Sequence, residues 1–365
     1  MQIQDVDFEQ FARIVRKQNK KMIIWGIGTF FHTCMPSLLK EYKLDDQVAV
    51  LIDGDQGKWK KCISLNGKEF AVQSPEIMQK EFQEHVLLIT SSYFADIVEY
   101  IDTLGNNQNL RCFIAPFMFR GNPKEDFRKY KSSNQQIPKV IHYCWFGKQD
   151  IPEKNKRCIE SWKRYCPDYE IIEWNESNYD LKKNRYMYQA YRMGKYGYVP
   201  DYARIDLLYH YGGVYFDTDV ELIKNIDELL YLQGFTSFEE YPMVNFGGGS
   251  GSIEGLGILG EILKYREKIE FIDQDSGINL LTCGFYETSP LLAHGLKIAG
   301  HIQNVEGLTV LTSDYFHVKS SVTKEIHIKE NTFGVHDFNW SWVTEKQKEE
   351  QKRTSEFVKR YFVLE

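Results

Sequence analysis

Two pairs of charged side chains, separated by a glycine turn, are the residues of this sequence best suited to chemistry. Asp201 and Arg204 are three positions apart, so they share one face if a helix contains them. Asp217 and Asp219 follow a short apolar segment, and alternation along an extended chain would point both carboxylates the same way. The composite pattern D-x-x-R … G-G-x-Y-x-D-x-D is far less probable by chance than an isolated D-x-D.

These residue types indicate metal-dependent chemistry on a phosphorylated substrate. Two carboxylates at one strand end offer the hard oxygen ligands that Mg²⁺ or Mn²⁺ prefers. Such an ion can bridge a diphosphate and neutralise the charge that builds on it as a leaving group. Arg204 would add a fixed positive fork for a phosphate or a sugar hydroxyl.

The segments around this motif predict an α/β domain over residues 137–343, in which strands and helices must bring the charged pairs together. A helix that ends at Gly212-Gly213 would carry the first pair. Residues 245–257 are rich in glycine and are predicted to form a loop. The other predicted elements are strands at 139–146, 169–174 and 214–216 and helices at 154–165 and 201–211.

Residues 1–120 alternate apolar strands with helices, which predicts a small parallel α/β domain. Gly26 and Gly28 lie where a dinucleotide fingerprint would lie, but Phe31 takes the position of its third glycine. Asp53 follows the second strand at a place that would suit a ribose. We expect a structural or docking role here rather than an occupied nucleotide site. The predicted strands are at 22–25, 48–52, 86–90 and 111–115.

The remaining segments connect and end these domains. Residues 121–136 are polar and contain glycine, proline and serine, so they are predicted to form a linker. Residues 344–365 have mixed charge and are predicted to form a helical tail.

Composition is that of a soluble globular protein with two domains. The chain has 365 residues, 42% of them hydrophobic and 26% charged, and a net charge of −6, which disfavours a nucleic-acid partner. Its seven cysteines include no C-x-x-C, which favours reduced thiols in a cytoplasmic protein. The acidic start does not resemble a signal peptide, and no uninterrupted apolar run approaches the ~18 residues of a membrane span.

The motif segment resembles glycosyltransferase family 32, the family of bacterial capsule sugar transferases and yeast mannosyltransferases. It is similar, more distantly, to the catalytic domains of the large clostridial glucosylating toxins. The resemblance covers residues 137–343. The other segments that match the family pattern are IPKVIHYCWFG at 137–147, Ser161-Trp162, YEIIEWN at 169–175 and HDFNWSW at 336–342.

The resemblance implies a GT-A fold, preceded by a small Rossmann-like α/β domain similar to the one that precedes sugar acyltransferases. It implies retaining, metal-dependent transfer of a hexose from a nucleotide-diphosphate sugar, with a UDP-sugar favoured. The implied acceptor is a glycan or a lipid-linked sugar in surface or capsular polysaccharide synthesis. We expect a cytoplasmic enzyme, with peripheral contact with the inner face of the membrane and homo-oligomer formation through residues 1–120 as further expectations.

The resemblance also assigns roles to the residues that match its motifs. Asp217 would contact ribose and metal, Asp219 would be the principal metal ligand, and His336 would complete the metal shell, with Mn²⁺ or Mg²⁺ as the ion. Asp201 and Arg204 would hold the donor sugar and phosphate, and join Asp217 and Asp219 in the catalytic set.

Aromatic and amide side chains complete the implied donor site. Trp145 would stack on the nucleotide base, with Asn178 near its polar edge, and Trp340 or Trp342 would lie beside the diphosphate. The full donor-binding set is Tyr143, Trp145, Asn178, Asp201, Arg204, Asp217, Trp340 and Trp342. Thr288-Ser289-Pro290 and the glycine-rich segment depart from the family pattern, and we expect these regions to shape the acceptor site.

Three other classes of protein are compatible with parts of the sequence. A phosphohydrolase of the haloacid-dehalogenase type also carries D-x-D after an apolar strand, but it has Thr or Val where this chain has Glu221. An NAD-dependent oxidoreductase would need hydride-transfer residues downstream, and we identify none. A non-catalytic sugar-nucleotide binding protein can be distinguished from the enzyme only by an activity assay.

Overall fold

The computed structural model describes residues 1–80, 82, 84–105, 107–119, 126–273, 277–279, 281–320, 323–338 and 345–362. The architecture is mixed α/β with parallel strands in both large sheets, as the predicted fold class required. The chain divides into two compact units. Unit 1 comprises Met1–Arg120, Lys297–Ala299 and Glu345–Glu365, and unit 2 comprises Gly121–Leu296 and Gly300–Thr344.

Every strand predicted from the sequence has a counterpart in the structure, and further helices and strands lie between them. The helices are α1 Phe8–Lys17, α2 Thr29–Glu41, α3 Phe94–Leu104, α4 Glu153–Tyr165, α5 Arg185–Arg192, α6 Pro200–Tyr211, α7 Gly257–Arg266, α8 Cys283–Ala293 and α9 Glu345–Tyr361. The strands of unit 1 are β1 Gln2–Ile3, β2 Lys21–Trp25, β3 Val48–Ile52, β4 Cys62–Leu65, β5 Lys68–Gln73, β6 His85–Ile89 and β7 Arg111–Ile114.

The strands of unit 2 are shorter and more numerous. They are β8 Val140–Cys144, β9 Glu170–Trp174, β10 Gly213–Tyr215, β11 Val220–Leu222, β12 Gly234–Phe238, β13 Val244–Asn245, β14 Ser250–Ser252, β15 Ile272–Asp273, β16 Gly277–Ile278, β17 Gln303–Val305, β18 Leu308–Leu311 and β19 Gly334–His336.

Unit 1 is built on a sheet with the strand order β1-β7-β6-β2-β3-β5-β4. Every neighbouring pair is parallel except β4 with β5. Strands β2 and β6 are apolar after their first residue and β3 is apolar throughout, which is typical of a parallel sheet that is covered on both faces. The predicted helical tail is α9, which the structure groups with residues 1–120.

Unit 2 is built on a sheet with the order β17-β18-β12-β14-β10-β8-β9, and β13 is attached to β12. Strands β8, β9 and β10 are parallel, whereas β14 runs antiparallel to both of its neighbours. The fully buried rings of Trp162, Phe216, Phe235 and Phe316 belong to the apolar cluster of this unit. From position 126 onward the predicted linker packs within this unit, with Ser132 and Gln136 donating backbone hydrogen bonds to Tyr231 and Leu230.

The prediction of a loop over residues 245–257 is wrong in part, because Ser250–Ser252 form the strand β14 in the middle of the sheet. The small residues permit this close packing: a Cβ added to Gly251 would lie 2.5 Å from the ring of Phe235. Glycine was therefore a signal of close strand approach here rather than of a loop.

No helix within the described ranges is both long and apolar enough to cross a membrane.

Candidate metal and donor-sugar site

Three predicted metal ligands meet in unit 2. Asp217, Asp219 and His336 each offer a ligand atom, and these atoms all lie within 4.8 Å of one another. Carboxylate and imidazole groups together suit Mn²⁺ or Mg²⁺ when a phosphate completes the ligand set. The residues present therefore fit the divalent ion that the resemblance implies.

The prediction that strand alternation points the two carboxylates the same way is wrong. They converge because a turn follows the strand. Strand β10 ends at Tyr215, and the backbone N–H of Val220 donates to the carbonyl of Asp217 at 3.1 Å. The tyrosine hydroxyl donates to Asp217 Oδ1 at 3.0 Å, which orients that carboxylate. A turn bends both side chains toward one point, whereas three residues of an extended strand would have spread them along one face.

Helix α4 holds the strand that follows this turn. The buried indole of Trp162 donates to the carbonyl of Val220 at 2.7 Å, and the hydroxyl of Ser161 accepts the backbone N–H of Leu222 at 2.9 Å. Ser161 and Trp162, which are part of the family resemblance, thus hold the strand that follows the D-x-D turn and so position the turn.

The antiparallel pairing of β11 with β19 places His336 in the site. His336 is in register with Val220, the residue after Asp219. Its Nε2 lies 3.3 Å from Asp219 Oδ1, and Phe338 packs on the imidazole with ring centroids 4.2 Å apart. Burial alone would lower the pKa of His336, but the carboxylates of Asp219 and Asp217 raise it above its ordinary value.

We expect metal affinity to fall as pH decreases through the raised pKa of His336. A metal ion must displace the imidazole proton, and the neighbouring carboxylates stabilise the protonated form of the imidazole. Titration of Mn²⁺ into the protein by calorimetry between about pH 6 and pH 8 measures this dependence. His336→Gln should bind more weakly and lose most of the pH dependence, and equal affinity of the wild type across the range would contradict the assignment.

Asp201 and Arg204 lie on one buried face of α6, as their spacing predicted. Arg204 Nη2 lies 3.1 Å from Asp201 Oδ1 and 3.3 Å from Asp217 Oδ2, so one guanidinium joins the helix pair to the D-x-D turn. Burial raises the pKa of Asp201, and the charge of Arg204 opposes this shift. The buried guanidinium therefore orients two carboxylates, one of which is a predicted metal ligand.

Glu287, a fully buried acid on α8, is not among the residues that the sequence motifs indicate. Its Oε2 accepts the backbone N–H of Phe246 at 2.9 Å, and its Oε1 lies 3.8 Å from Arg204 Nη1. Burial raises its pKa to about 7, although Arg204 opposes the shift. The signal in the sequence is a single acidic residue within an otherwise uncharged helix, and that signal does not show what the acid faces.

The structure places two glycines of the glycine-rich segment directly beside this network. A Cβ on Gly247 would lie 2.1 Å from Asp217 Oδ2 and 2.6 Å from Arg204 Nη1. A Cβ on Gly248 would lie 2.1 Å from the imidazole of His317. The backbone carbonyl of Gly247 also accepts the N–H of Asp217 at 2.8 Å. These glycines therefore permit a close approach of backbone to the D-x-D turn.

We expect Gly247→Ala to reduce activity by about a hundredfold or more, because an added methyl displaces the Asp217 carboxylate from its working geometry. Steady-state kinetics with a sugar-nucleotide donor measures this effect. Gly257→Ala is the matched control, since a Cβ added there meets nothing within 4 Å in the described structure. Equal activity of the two variants would show that the clash is relieved without cost.

The aromatic and amide residues of the predicted donor set have local partners. Tyr143 is buried and donates to Glu173 Oε2 at 2.7 Å. Asn178 accepts the N–H of Asn175 at 2.8 Å and donates to the carbonyl of Glu173 at 2.8 Å, so its amide closes a turn. Trp145 is half-buried, and its indole donates to the carbonyl of Gln149 at 2.6 Å. Their contacts with a nucleotide stay predictions, and Trp340 and Trp342 lie outside the described residues.

We expect Trp145→Ala to weaken binding of a nucleoside diphosphate by ~1–3 kcal/mol, the scale of stacking between a base and an aromatic side chain. Calorimetry of nucleotide binding in the presence of Mn²⁺ measures this loss. Trp59→Ala removes a half-buried indole from unit 1 and serves as the control. A Trp145→Ala variant that loses stability but keeps its nucleotide affinity would refute stacking.

One glycine of the incomplete fingerprint has a packing role within unit 1. A Cβ on Gly26 would lie 2.7 Å from the Cβ of Ser91, so this glycine lets the segments that follow β2 and β6 approach closely, whereas a Cβ on Gly28 would meet nothing within 4 Å in the described structure. The carboxylate of Asp53 accepts the N–H of Ile27 at 2.7 Å and forms an ion pair with Lys58 at 3.0 Å. A carboxylate with these partners stabilises the loop itself. The structural or docking role of this unit stays a prediction.

Residues 152–235 match the family model described as "Glycosyltransferase sugar-binding region containing DXD motif". The match includes both charged pairs and ends before His336. The resemblance predicted from the motif is therefore confirmed over this segment.

Curated proteins also match part of this chain. The chain is 34% identical over 110 residues to "Inositol phosphoceramide mannosyltransferase 3" of Schizosaccharomyces pombe, covering 28% of this chain and 30% of that one. It is 33% identical over 124 residues to "Mannosyl phosphorylinositol ceramide synthase CSH1" of Saccharomyces cerevisiae, covering 31% and 32%. The chain thus spans about a third of the length of the curated relatives it matches.

A solved structure, "PaToxG Glycosyltransferase", aligns with a TM-score of 0.35 at 19% identity, over 44% of this chain and 70% of that one. At this score the likeness carries no argument about the fold.

Proposed function

We propose that this chain is a metal-dependent glycosyltransferase that moves a hexose from a nucleotide-diphosphate sugar to an acceptor hydroxyl. The observation that carries the proposal is the convergence of Asp217, Asp219 and His336 within 4.8 Å, in a chain whose residues 152–235 match a DXD sugar-binding region. Within this proposal unit 2 is a GT-A catalytic domain and unit 1 is a Rossmann-like accessory domain.

Each part of the site has a task in such a transfer. A divalent ion held by Asp217, Asp219 and His336 would neutralise charge on the diphosphate. Arg204, held by Asp201 and Glu287, keeps the Asp217 carboxylate oriented and supplies a positive charge to the donor. Gly247 lets the neighbouring backbone pass without displacing that carboxylate. We further propose that the transfer retains the configuration at the anomeric carbon of the sugar, as the resemblance implies.

The acceptor we favour is a lipid-linked one. The fungal relatives are named for inositol phosphoceramide, a lipid, and the resemblance includes enzymes of capsule synthesis. A UDP-sugar is the donor we propose first, and a cytoplasmic enzyme in peripheral contact with the membrane is the matching location.

The decisive experiment is release of nucleoside diphosphate from a panel of UDP- and GDP-sugars, with Mn²⁺, with Mg²⁺ and with a chelator. We expect one donor to be hydrolysed slowly without an acceptor, and this activity to disappear with the chelator. Binding of a donor without turnover in the presence of acceptor lipids would favour a non-catalytic binding protein. Hydrolysis of simple phosphate monoesters instead would favour the phosphohydrolase.

A further inference from the structure

Two lysines from different elements converge on one carboxylate beside the metal triad. Lys154 lies in the first turn of α4, and Lys319 lies in the segment that precedes β19. Both form ion pairs with Asp337. The side chains of Lys319 and Asp337 are 15% and 17% exposed, whereas that of Lys154 is 53% exposed. The pair therefore combines one largely buried lysine side chain with one that is about half exposed.

Backbone and side-chain hydrogen bonds tie this lysine pair to the D-x-D turn. The N–H of Asp337 donates to the carbonyl of Asp219 at 2.9 Å. Asn155, which follows Lys154, donates its amide to the hydroxyl of Thr218 at 2.9 Å. The residues beside and between the two lysines, Asn155 and Asp337, are thus bonded directly to the segment that carries the predicted metal ligands.

The two ammonium groups of this cluster lie close enough together to repel each other. Lys154 and Lys319 both pair with Asp337, and the charge of Asp219 also acts on Lys319. Burial lowers the pKa of Lys319 and the charge of Lys154 lowers it further, while Asp219 opposes both. An additional anion placed here would relieve the repulsion between the two lysines.

We propose that Lys154 and Lys319 bind the β-phosphate of the donor, the phosphate from which the sugar departs. This inference rests on the proposed function and identifies residues that the family motif does not contain. Transfer breaks the bond between the anomeric carbon and the β-phosphate oxygen, and the electron pair stays on that oxygen. The acceptor hydroxyl forms the new bond to carbon and releases its proton to water. Ammonium groups already in place stabilise the oxygen that gains charge.

The test compares a nucleoside diphosphate with the matching monophosphate, because only the first has a β-phosphate. Affinities of UDP and UMP with Mn²⁺, or of GDP and GMP if the wild type prefers guanine, are measured by calorimetry. The variants are Lys319→Met, Lys154→Met and the double substitution. Lys224→Met is the matched control, since this half-buried lysine donates to the carbonyl of Glu330 at 2.6 Å, on a different segment of unit 2.

We expect each single substitution to weaken diphosphate binding about tenfold, as expected for one charge-assisted hydrogen bond, and to leave monophosphate binding within about twofold. Lys319→Arg should restore the preference for diphosphate, and Lys224→Met should change neither affinity. Equal losses for both nucleotides, or no loss for either, would overturn the lysine assignment. A wild type that binds neither nucleotide would instead overturn the proposed function, and the assignment with it.

Discussion

Replacing Asp219 with asparagine should reduce metal-dependent release of nucleoside diphosphate about a thousandfold or more, with the fold intact. A metal ion that neutralises a departing diphosphate contributes several kcal/mol to the transition state, and each 1.36 kcal/mol corresponds to a factor of about ten in rate. Asp219 faces His336 at 3.3 Å, so the substitution removes both a ligand charge and the partner of the imidazole. Initial rates at saturating Mn²⁺ and a chelator titration measure the effect.

Glu221→Gln is the control for this substitution. Glu221 lies two residues further along β11, and its side chain is exposed between the buried Val220 and Leu222. The control removes an equal charge from the strand that follows Asp219 without touching the site, so it should keep wild-type activity. A wild type that works equally well in excess chelator would refute the metal assignment, whatever Asp219→Asn does.

Arg204→Met should lower the free energy of unfolding by about 3–5 kcal/mol and remove activity. Removing one partner of a buried ion pair leaves the other charges uncompensated in a low-dielectric environment. Three acids face this guanidinium, at 3.1 Å for Asp201, 3.3 Å for Asp217 and 3.8 Å for Glu287. Urea denaturation followed by circular dichroism measures the loss of stability.

Two further variants separate the charge effect from lost packing. Adding Asp201→Asn to Arg204→Met should recover part of the stability, because one uncompensated carboxylate is then neutral. Arg185→Met removes an arginine whose ion pair with Glu270 is 64% exposed on the arginine side, and it should cost less than about 1 kcal/mol. Equal losses of stability from the two arginine substitutions would show that Arg204 does not stabilise the fold by compensating buried carboxylates.

Local pattern in the sequence determined much of this site. The three-residue spacing of Asp201 and Arg204 placed them on one face of α6, and Gly212 ended that helix as predicted. Those inferences succeed because helix periodicity and glycine turns depend on neighbouring residues alone. The alternating α/β order of both units follows from the same local rules. His336 was reached only through the family resemblance, since nothing near it in sequence indicates a metal.

Tertiary structure decided which distant residues meet. His336 reaches the D-x-D turn because β19 pairs with β11 in one register, and a shift by one residue would turn the imidazole away. The same long-range packing brings Gly247 and Glu287 against Arg204, and Lys154 and Lys319 against Asp337. Side chains far apart in sequence have no local pattern that relates them. Their proximity is a property of strand register and of the packing of helices on the sheet, which single-sequence periodicity does not encode.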